Sequence, residues 1–413
     1  MLNYSVAELR ENRKCLNFEI IMKKVLVLNG SFCELPIINK CHELGYYVIT
    51  TGNMPELMAH KYADEYIKAD YSDYEAVLDI VKQNNIEAVL SCANDFGSIT
   101  AAYVSEKMGW KTHDTFENSK LLHHKDLFKE YIQRKGFPTP ISKVFTDFDK
   151  AVSYVENAEF PIIVKANDLT GGKGILKATC KEEAIKALDN AFKKSRSKHI
   201  LVEPFVTGDQ QTFVTFLHDK KVVACGSCDS YSYINPYLIQ AETLPAKDID
   251  SIKDSLIAII EDMAKDLDLA DGIFALQYIR KGNKFNIIEM MRRPFGNQFL
   301  QLVEYSTDFP WHLAQVVAET GGDWSLVKRK PIEKPYCGHY GVMVDHNGRL
   351  QNWNIPEDIK KHIITQFIMK NIGDDITDHL NERVAFLHFE YSDFDEMQRE
   401  VKDYYSKIKV ELA

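Results

Sequence analysis

The sequence predicts an α/β protein that begins with a doubly wound parallel sheet and continues into an α+β core. Three observations support this fold class. Short β-branched runs alternate with amphipathic helices near the N-terminus, a glycine-rich turn follows an apolar strand in the middle, and a later hairpin carries polar residues. The 413 residues are enough for two or three domains, and 45% hydrophobic with 27% charged residues is an ordinary globular composition.

Composition and charge exclude several classes of function. The net charge of −10 argues against a general nucleic-acid binder, and no apolar run approaches membrane-spanning length. Residues 1–21 lack the apolar core of a signal peptide, and eight scattered cysteines suit a reducing compartment. Cys225 and Cys228 have metal-like spacing but no second pair, so two small residues near a strand end are the preferred interpretation. We therefore expect a cytoplasmic protein without nucleic-acid or membrane partners.

The first domain is predicted over residues 22–113. Strands are expected at 24–29, 46–51 and 86–91, with helices between them and a capping box from Ser72 to Glu75. Gly30 alone is not a dinucleotide-binding fingerprint, because no second and third glycine follow at the required spacing.

Two positions after this sheet are candidates for ligand contact. Asn94 and Asp95 follow the third strand, where such sheets usually bind ligands, but an ordinary helix N-cap explains them equally well. Residues 118–135 are predicted to form one helix with Lys125 in its middle, beside His123 and His124. On pattern alone, Lys125 is a solvated helix lysine.

A lid is predicted over residues 141–206. Lys165 lies inside an apolar strand, and a lysine there needs an anion to offset its desolvation. The turn that follows contains Gly171, Gly172, Lys173 and Gly174, whose backbone N–H groups can face phosphate oxygens. It is not a Walker loop, because the GxxxxGK[ST] pattern is absent.

A predicted hairpin, with strands at 273–279 and 285–290, carries the clearest functional signal. Gln277 and Glu289 interrupt its apolar runs, and a pairing centred on Asn283 would place them opposite each other on one face. A strict two-residue turn would instead place them on opposite faces.

Arg292 and Arg293 follow the second strand of this hairpin. Two oxygen ligands before a cationic pair describe a site for Mg²⁺ and phosphate. A buried glutamate–arginine ion pair that holds the strand to a helix explains the same residues equally well.

The order of these residues resembles the ATP-grasp superfamily, which includes carbamoyl-phosphate synthetase, biotin carboxylase and the amino-acid ligases. The resemblance covers nearly the whole chain from Met22. It implies a leader at 1–21, a pre-ATP-grasp domain at 22–113, an ATP-grasp domain at 114–328 with the lid inside it, and a small β-rich C-terminal subdomain at 329–413.

The resemblance also implies a role for each candidate residue. Lys125 and Lys165 would reach the phosphates of ATP, and the lid loop with Lys173 would close over them. Arg293, Lys165 and Arg292 would be catalytic, and Gln277 with Glu289 would bind Mg²⁺ or Mn²⁺. The remaining expected contacts are to the β- and γ-phosphates, adenine and ribose: Gly171, Gly172 and Gly174 for phosphate, Glu203, Phe205 and Val206 for adenine, and Gln210 or Asp209 for ribose.

Two departures from the family pattern affect these expectations. The family often has glutamate where Gln210 stands, and Met291 occupies the position of an expected asparagine ligand. A thioether is a poor Mg²⁺ ligand. Either one metal ion is lost, or water, Asn297 or Gln298 completes its coordination.

The function implied by the resemblance is an ADP-forming carboxylate–amine (or carboxylate–ammonia) ligase that acts through an acyl phosphate. Arg292 or the pair Tyr231 and Tyr233 would help to hold the acceptor. Members of the family commonly form homodimers, so a homodimer is expected. Alternatives are a bicarbonate- or formate-activating enzyme and a nucleotide-binding module that has lost catalysis. Biotin carboxylation is less favoured, since nothing in the chain looks like a biotinylated carrier.

Overall fold

The computed structural model describes residues 22–169 and 172–413. The predicted leader at 1–21 and the predicted phosphate contact at Gly171 lie outside the described residues. No helix of the described residues is long and apolar enough to cross a membrane.

The N-terminal sheet is parallel, as predicted, with strand order β3-β2-β1-β4. Successive residues of the first strand pack into separate cores on its two faces, which makes the sheet doubly wound. The half-exposed third strand was not predicted, because it lacks an apolar run. The elements are β1 (Lys24–Leu28), α1 (Leu35–Glu43), β2 (Tyr47–Gly52), β3 (Glu65–Lys68), α2 (Tyr74–Gln83), β4 (Ala88–Leu90) and α3 (Asp95–Met108).

Two predicted helix boundaries are wrong. The N-cap of α2 is Asp73, whose side chain accepts from the Ala76 N–H, while Ser72 bonds to Asp70 instead. The predicted helix at 118–135 is two helices, α4 (Phe116–His123) and α5 (Lys125–Arg134). His124 has extended backbone angles (φ −93°, ψ 119°), which break the helix and put Lys125 at the start of α5.

The lid contains an antiparallel sheet of order β5-β8-β6-β7 with two helices packed on it. Their shared core is rich in alanine and aliphatic residues. The elements are β5 (Lys143–Phe145), α6 (Phe148–Val155), β6 (Ile162–Ala166), β7 (Ile175–Ala178), α7 (Lys181–Lys194) and β8 (Ile200–Pro204).

The main sheet follows the lid and has strand order β13-β12-β9-β10-β11-β14-β18-β16. One core joins it to α5 and α8, and a second core packs α9 and α10 on its other face. The elements up to this point are β9 (Asp209–His218), β10 (Lys221–Tyr231), β11 (Ala241–Leu244), α8 (Asp250–Asp266), β12 (Gly272–Lys281), β13 (Lys284–Met291), α9 (Phe299–Ser306) and α10 (Trp311–Thr320).

The C-terminal residues contribute three strands to that same sheet. The predicted boundary between residues 328 and 329 therefore does not separate two sheets. The remaining elements are β14 (Tyr336–Val342), β15 (Gly348–Asn354), α11 (Glu357–Lys360), β16 (Ile363–Ile368), β17 (Asp375–Ile376), β18 (Ala385–Tyr391), α12 (Phe394–Glu400), α13 (Tyr404–Lys407) and β19 (Lys409–Leu412). Strands β17, β15 and β19 form a small antiparallel sheet of their own.

The β12–β13 hairpin has a two-residue turn, and a bulge changes its register. Lys281 pairs with Lys284, so an unbroken ladder would place Gln277 opposite Ile288. An irregularity between Gln277 and Tyr278 shifts the pairing by one residue, and Gln277 faces Glu289 directly. The two polar side chains therefore share a face despite the short turn.

Candidate active site

A cavity of about 560 Å³ lies between the lid, the main sheet and the start of α5. It brings together most of the residues that the sequence singled out, from segments separated by more than 150 residues. Those lining residues are Lys125, Lys165, Glu203, Phe205, Val206, Gln210, Gln277 and Glu289, joined by Asp95, which the sequence left open.

Lys165 forms a buried charged cluster at one wall of this cavity. Its Nζ donates to Glu203 Oε1, and Ser142 Oγ donates to Glu203 Oε2 at 2.5 Å. Burial alone would raise the pKa of Glu203, but the nearby Lys165 and Lys129 ammonium groups lower it to about 2. The carboxylate is therefore ionised and holds Lys165 in place, a role that the sequence did not predict.

Lys129 is a cavity-lining cation that sequence reasoning missed. Its Nζ lies 3.4 Å from Glu203 Oε2 and donates to Thr139 Oγ1 (2.8 Å) and Ile287 O (3.1 Å). Burial lowers its pKa to about 8, although Glu203 opposes the shift. The available signal was spacing, since Lys125 and Lys129 are four residues apart and share a helix face.

Lys125 reaches the same space from the first position of α5. Its Nζ donates to Leu169 O at 2.9 Å and lies 3.7 Å from Glu289 Oε1. It therefore connects the lid loop with the predicted metal ligand, and it is not the solvated lysine of an ordinary helix.

The hinge at residues 204–206 also lines the cavity. The Phe205 N–H donates to Pro161 O at 3.0 Å, which removes it as a donor to a ligand. The Val206 N–H has no hydrogen-bond partner among the described residues, so it is the backbone donor available there. Lys177 Nζ lies 4.2 Å from the centre of the Phe205 ring and also lines the cavity.

The described part of the lid loop requires its glycines. Gly172 has φ +76°, and a Cβ there would lie 2.6 Å from Tyr237 O; Gly174 has φ +69° and would clash with Leu169. Neither glycine lines the cavity, and the exposed Lys173 does not line it either. Their predicted contacts with phosphate therefore remain predictions.

The donor set at Gln277 and Glu289 fits a magnesium ion. An amide oxygen and a carboxylate are hard ligands, and Mg²⁺ in such sites keeps waters and takes its remaining ligands from substrate phosphates. Met291 is buried against Phe295 and Phe299 in the core, so its sulfur is no ligand. The suggested replacements are also engaged elsewhere: the Asn297 amide bonds to Glu242 and His339, and Gln298 donates to Phe32 O.

Arg293 does not line the cavity itself, but it contacts Asp95, which does. Its Nε donates to Asp95 Oδ1 at 2.5 Å, and His123 Nδ1 lies 3.2 Å from the same oxygen. Burial would raise the pKa of Asp95, but Arg293 and His123 outweigh it and hold that pKa well below its usual range. Asn94 is the N-cap of α3, as one interpretation predicted, and Asp95 lines the cavity. Ligand contact at this position stays a prediction.

Arg292 points elsewhere, which argues against its predicted role. It forms a bidentate pair with Asp114 (both 2.8 Å) and donates to the carbonyl oxygens of Ile273 and Ala270. Because all its donor nitrogens are occupied inside the protein, it has none for a substrate. Tyr231 and Tyr233 line a different cavity of about 590 Å³, which shares only Gly208, Gln210 and Pro236 with the first.

The fold is the ATP-grasp fold, which the chain shares with solved ligase and synthetase structures. The solved structure of an L-amino acid ligase from Bacillus licheniformis superimposes with a TM-score of 0.77 at 15% identity, covering 95% of this chain and 99% of that one. A phosphoribosylglycinamide synthetase from Anaerococcus prevotii gives a TM-score of 0.73 at 20% identity, covering 95% and 100%.

Sequence similarity points to the same group. Residues 123–235 match the family model "Phosphoribosylglycinamide synthetase, ATP-grasp (A) domain". A phosphoribosylamine–glycine ligase of Halalkalibacterium halodurans is 33% identical over 103 residues, which is 24% of this chain and 24% of that relative. The match thus spans about a quarter of the relative's length. Residues 123–235 are therefore similar to an ATP-grasp domain, and the similarity of the rest of the chain to these proteins is one of fold.

Proposed function

We propose that this protein is an ATP-dependent, ADP-forming ligase that joins a small carboxylate to an amine through an acyl phosphate. The observation that carries the proposal is the convergence of Lys125, Lys129 and Lys165 on the cavity that also holds the opposed pair Gln277 and Glu289. Three cations beside two oxygen ligands suit a bound triphosphate and its metal ion. The relatives named phosphoribosylamine–glycine ligase and L-amino acid ligase support the same reaction class.

We infer one orientation for ATP in the cavity, with adenine at the hinge and the phosphates at the lysines. Adenine would meet the Val206 N–H at the hinge, and Gln210, which also lines the cavity, would contact the ribose. The phosphates would then extend towards the lysines. Gln277 and Glu289 would hold Mg²⁺, which neutralises phosphate charge and orients the oxygens around the transferred phosphoryl group.

The chemistry needs positioning and charge neutralisation, and no protein nucleophile. A carboxylate oxygen attacks the γ-phosphorus, the bond to the bridging oxygen breaks, and ADP leaves. An amine nitrogen then attacks the carbonyl carbon of the acyl phosphate, and inorganic phosphate leaves with the electrons of the C–O bond. Because water would hydrolyse the acyl phosphate, a lid that closes over the cavity is required.

The test is Mg²⁺-dependent ADP release with amino acids, bicarbonate, formate and other small carboxylates, each alone and paired with amines. We expect ADP release with one carboxylate–amine pair. Changing Glu289→Gln should lower that rate by about 10²–10³-fold, because a metal ligand and its charge are lost. Lys284→Gln, at an exposed position on the same hairpin, is the matched control and should retain the parent rate.

A nucleotide-binding module without catalysis is the second candidate, and the burial of Met291 in the core favours it. Tight ATP binding by calorimetry, with no ADP released for any pair, would support that candidate over the ligase. Full activity of the Glu289→Gln variant would contradict the assignment of the metal site.

Location and oligomeric state complete the proposal. The seven cysteines of the described residues are unpaired, which agrees with a reducing cytoplasm. The homodimer is proposed from the resemblance, and sedimentation of the purified protein measures it.

A further inference from the structure

His123 is a cavity-lining residue with an unused ring nitrogen. Its side chain is 1% exposed and it lines the cavity at the end of α4. Nδ1 lies 3.2 Å from Asp95 Oδ1, while Nε2 is buried with no hydrogen-bond partner among the described residues. A buried polar atom without a partner is rare in folded proteins and requires an explanation.

The hydrogen bond to Asp95 determines which nitrogen of His123 carries the proton. Arg293 holds Asp95 ionised, and an ionised carboxylate can only accept hydrogen bonds. Nδ1 must therefore be the donor, and in the neutral ring Nε2 carries the free electron pair. An aspartate that orients a histidine in this way presents Nε2 as a base.

The proposed ligase reaction needs such a base. An alkyl amine is mostly protonated at neutral pH, and it must lose a proton before or during its attack on the acyl phosphate. The other carboxylates that line the cavity are committed: Glu203 binds Lys165 and Lys129, and Glu289 lies beside Lys125 in the predicted metal site.

We propose that His123 is the general base of the ligation step, with Asp95 as its positioning residue. This inference rests on the proposed function. The amine nitrogen forms a bond to the acyl carbon, its proton passes to His123 Nε2, and the C–O bond to phosphate breaks. The protonated ring then returns its proton to solvent or to the departing phosphate.

Groups of both charge signs surround this base. Asp95 at the start of α3 and Glu289 on β13 are carboxylates that line the same cavity. Arg293 after β13 pairs with Asp95, Lys125 on α5 lies beside Glu289, and His124 is adjacent in the chain.

Hydroxylamine separates this role from acyl-phosphate formation. Hydroxylamine is uncharged at neutral pH and attacks an acyl phosphate without needing a base, whereas ammonium and alkyl amines must be deprotonated. The assay uses ATP, Mg²⁺ and the carboxylate that gives the most ADP, with hydroxylamine in one arm and ammonium chloride or glycine in the other. Hydroxamate and amide products are measured for the parent, His123→Gln and His124→Gln.

We expect His123→Gln to form hydroxamate within about twofold of the parent and to lose about 10²-fold of its amide formation. His124→Gln should match the parent in both arms. An equal loss in both arms, or no loss in either, would overturn the role of His123. If the parent itself forms neither product, the proposed ligase function fails, which is a distinguishable result.

Two further readouts exclude a merely structural effect. Added imidazole should restore amide formation to His123→Ala, because the substitution leaves space for a free ring at the same place. Asp95→Asn should change the acidic limb of the pH profile for amide formation while hydroxamate formation keeps its profile. Failure of imidazole to rescue a folded His123→Ala, together with an unchanged pH profile for Asp95→Asn, would contradict the proposal.

Discussion

Two neighbouring arginines, Arg292 and Arg293, each pair with an aspartate, but they differ in the number of donor nitrogens that remain without a hydrogen-bond partner. Arg292 is 6% exposed on its side chain and uses all its donor nitrogens on Asp114 and two carbonyl oxygens. Arg293 bonds to Asp95 and to Pro294 O, and its Nη2 has no partner among the described residues. The first pair is a closed structural unit, and the second retains donors beside the cavity. The two pairs have identical residue types, so the free donor of Arg293 is what allows it, unlike Arg292, to contact a ligand.

The largest expected effect is on the closed pair. Arg292→Gln should lower the free energy of unfolding by about 3–5 kcal/mol, because Asp114 would remain buried without its counter-charge. Urea denaturation measures this loss. The matched control is Arg329→Gln, which breaks an exposed pair with Asp308 and should cost less than about 1 kcal/mol. Equal losses of unfolding free energy in the two variants would show that the buried pair stabilises the fold no more than the exposed pair does.

The next effect is on the open pair and concerns rate. Arg293→Gln should reduce ADP release by about 10²–10³-fold, because a cation near the transferred phosphoryl group is lost. Its stability should fall less than that of Arg292→Gln, since Asp95 keeps its hydrogen bond to His123. Steady-state kinetics and urea denaturation of both variants test the contrast. If the Arg293 variant were unstable but fully active, the Arg293–Asp95 pair would be structural, which contradicts the contrast between the two pairs.

The smallest expected effect is a pH dependence of the free energy of unfolding that arises from Glu319, a neighbour of Arg292. Glu319 borders a cavity of about 20 Å³ with Arg292 and accepts hydrogen bonds from Ser91, but no cation contacts it closely. Burial raises its pKa from 4.5 to about 7. His113, 3.8 Å away, has its pKa lowered by burial to about 4 and is neutral at pH 7.

The direction of this pH dependence follows from the number of protons that the folded and unfolded states bind. Between about pH 4.5 and pH 7 the folded state binds more protons at Glu319 than the unfolded state, so the free energy of unfolding falls as pH rises. The loss should be on the order of 2 kcal/mol. His113 contributes the opposite trend in both proteins, because its pKa is lowered to about 4 on folding. Urea denaturation at about pH 5 and about pH 8 should therefore show the Glu319 loss as the difference between the parent and Glu319→Gln. An identical pH dependence in the variant would assign it to another group.

Much of the fold could be predicted because it depends on local pattern. Alternating short apolar runs indicated the parallel sheet, and the interrupted hairpin indicated the positions of Gln277 and Glu289. The boundary errors at Ser72 and at residues 118–135 arose where one residue's backbone angles decide the outcome. The hydrophobic periodicity of a sequence does not show the backbone dihedral angles of a single residue.

The site was predicted less completely, because several of its contacts join distant segments. Asp95 and Arg293 are 198 residues apart, and Asp114 and Arg292 are 178 apart. Neither spacing nor residue type shows which arginine meets which aspartate. Lys129 was missed for a related reason, since a lysine on an amphipathic helix is ordinary until a buried carboxylate is found beside it.

The sequence by itself indicated the alternation of strands and helices in the first domain, the glycines of the lid loop, and Lys165, Gln277 and Glu289 as polar residues inside apolar strands. These features follow from local sterics and from side-chain period, which act over a few residues. Only the tertiary structure decided that a bulge brings Gln277 opposite Glu289, that Arg292 turns inward while Arg293 contacts the cavity-lining Asp95, and that strands beyond residue 328 extend the main sheet. Register and pairing depend on contacts between segments far apart in the chain, and those contacts exist only once the chain has folded.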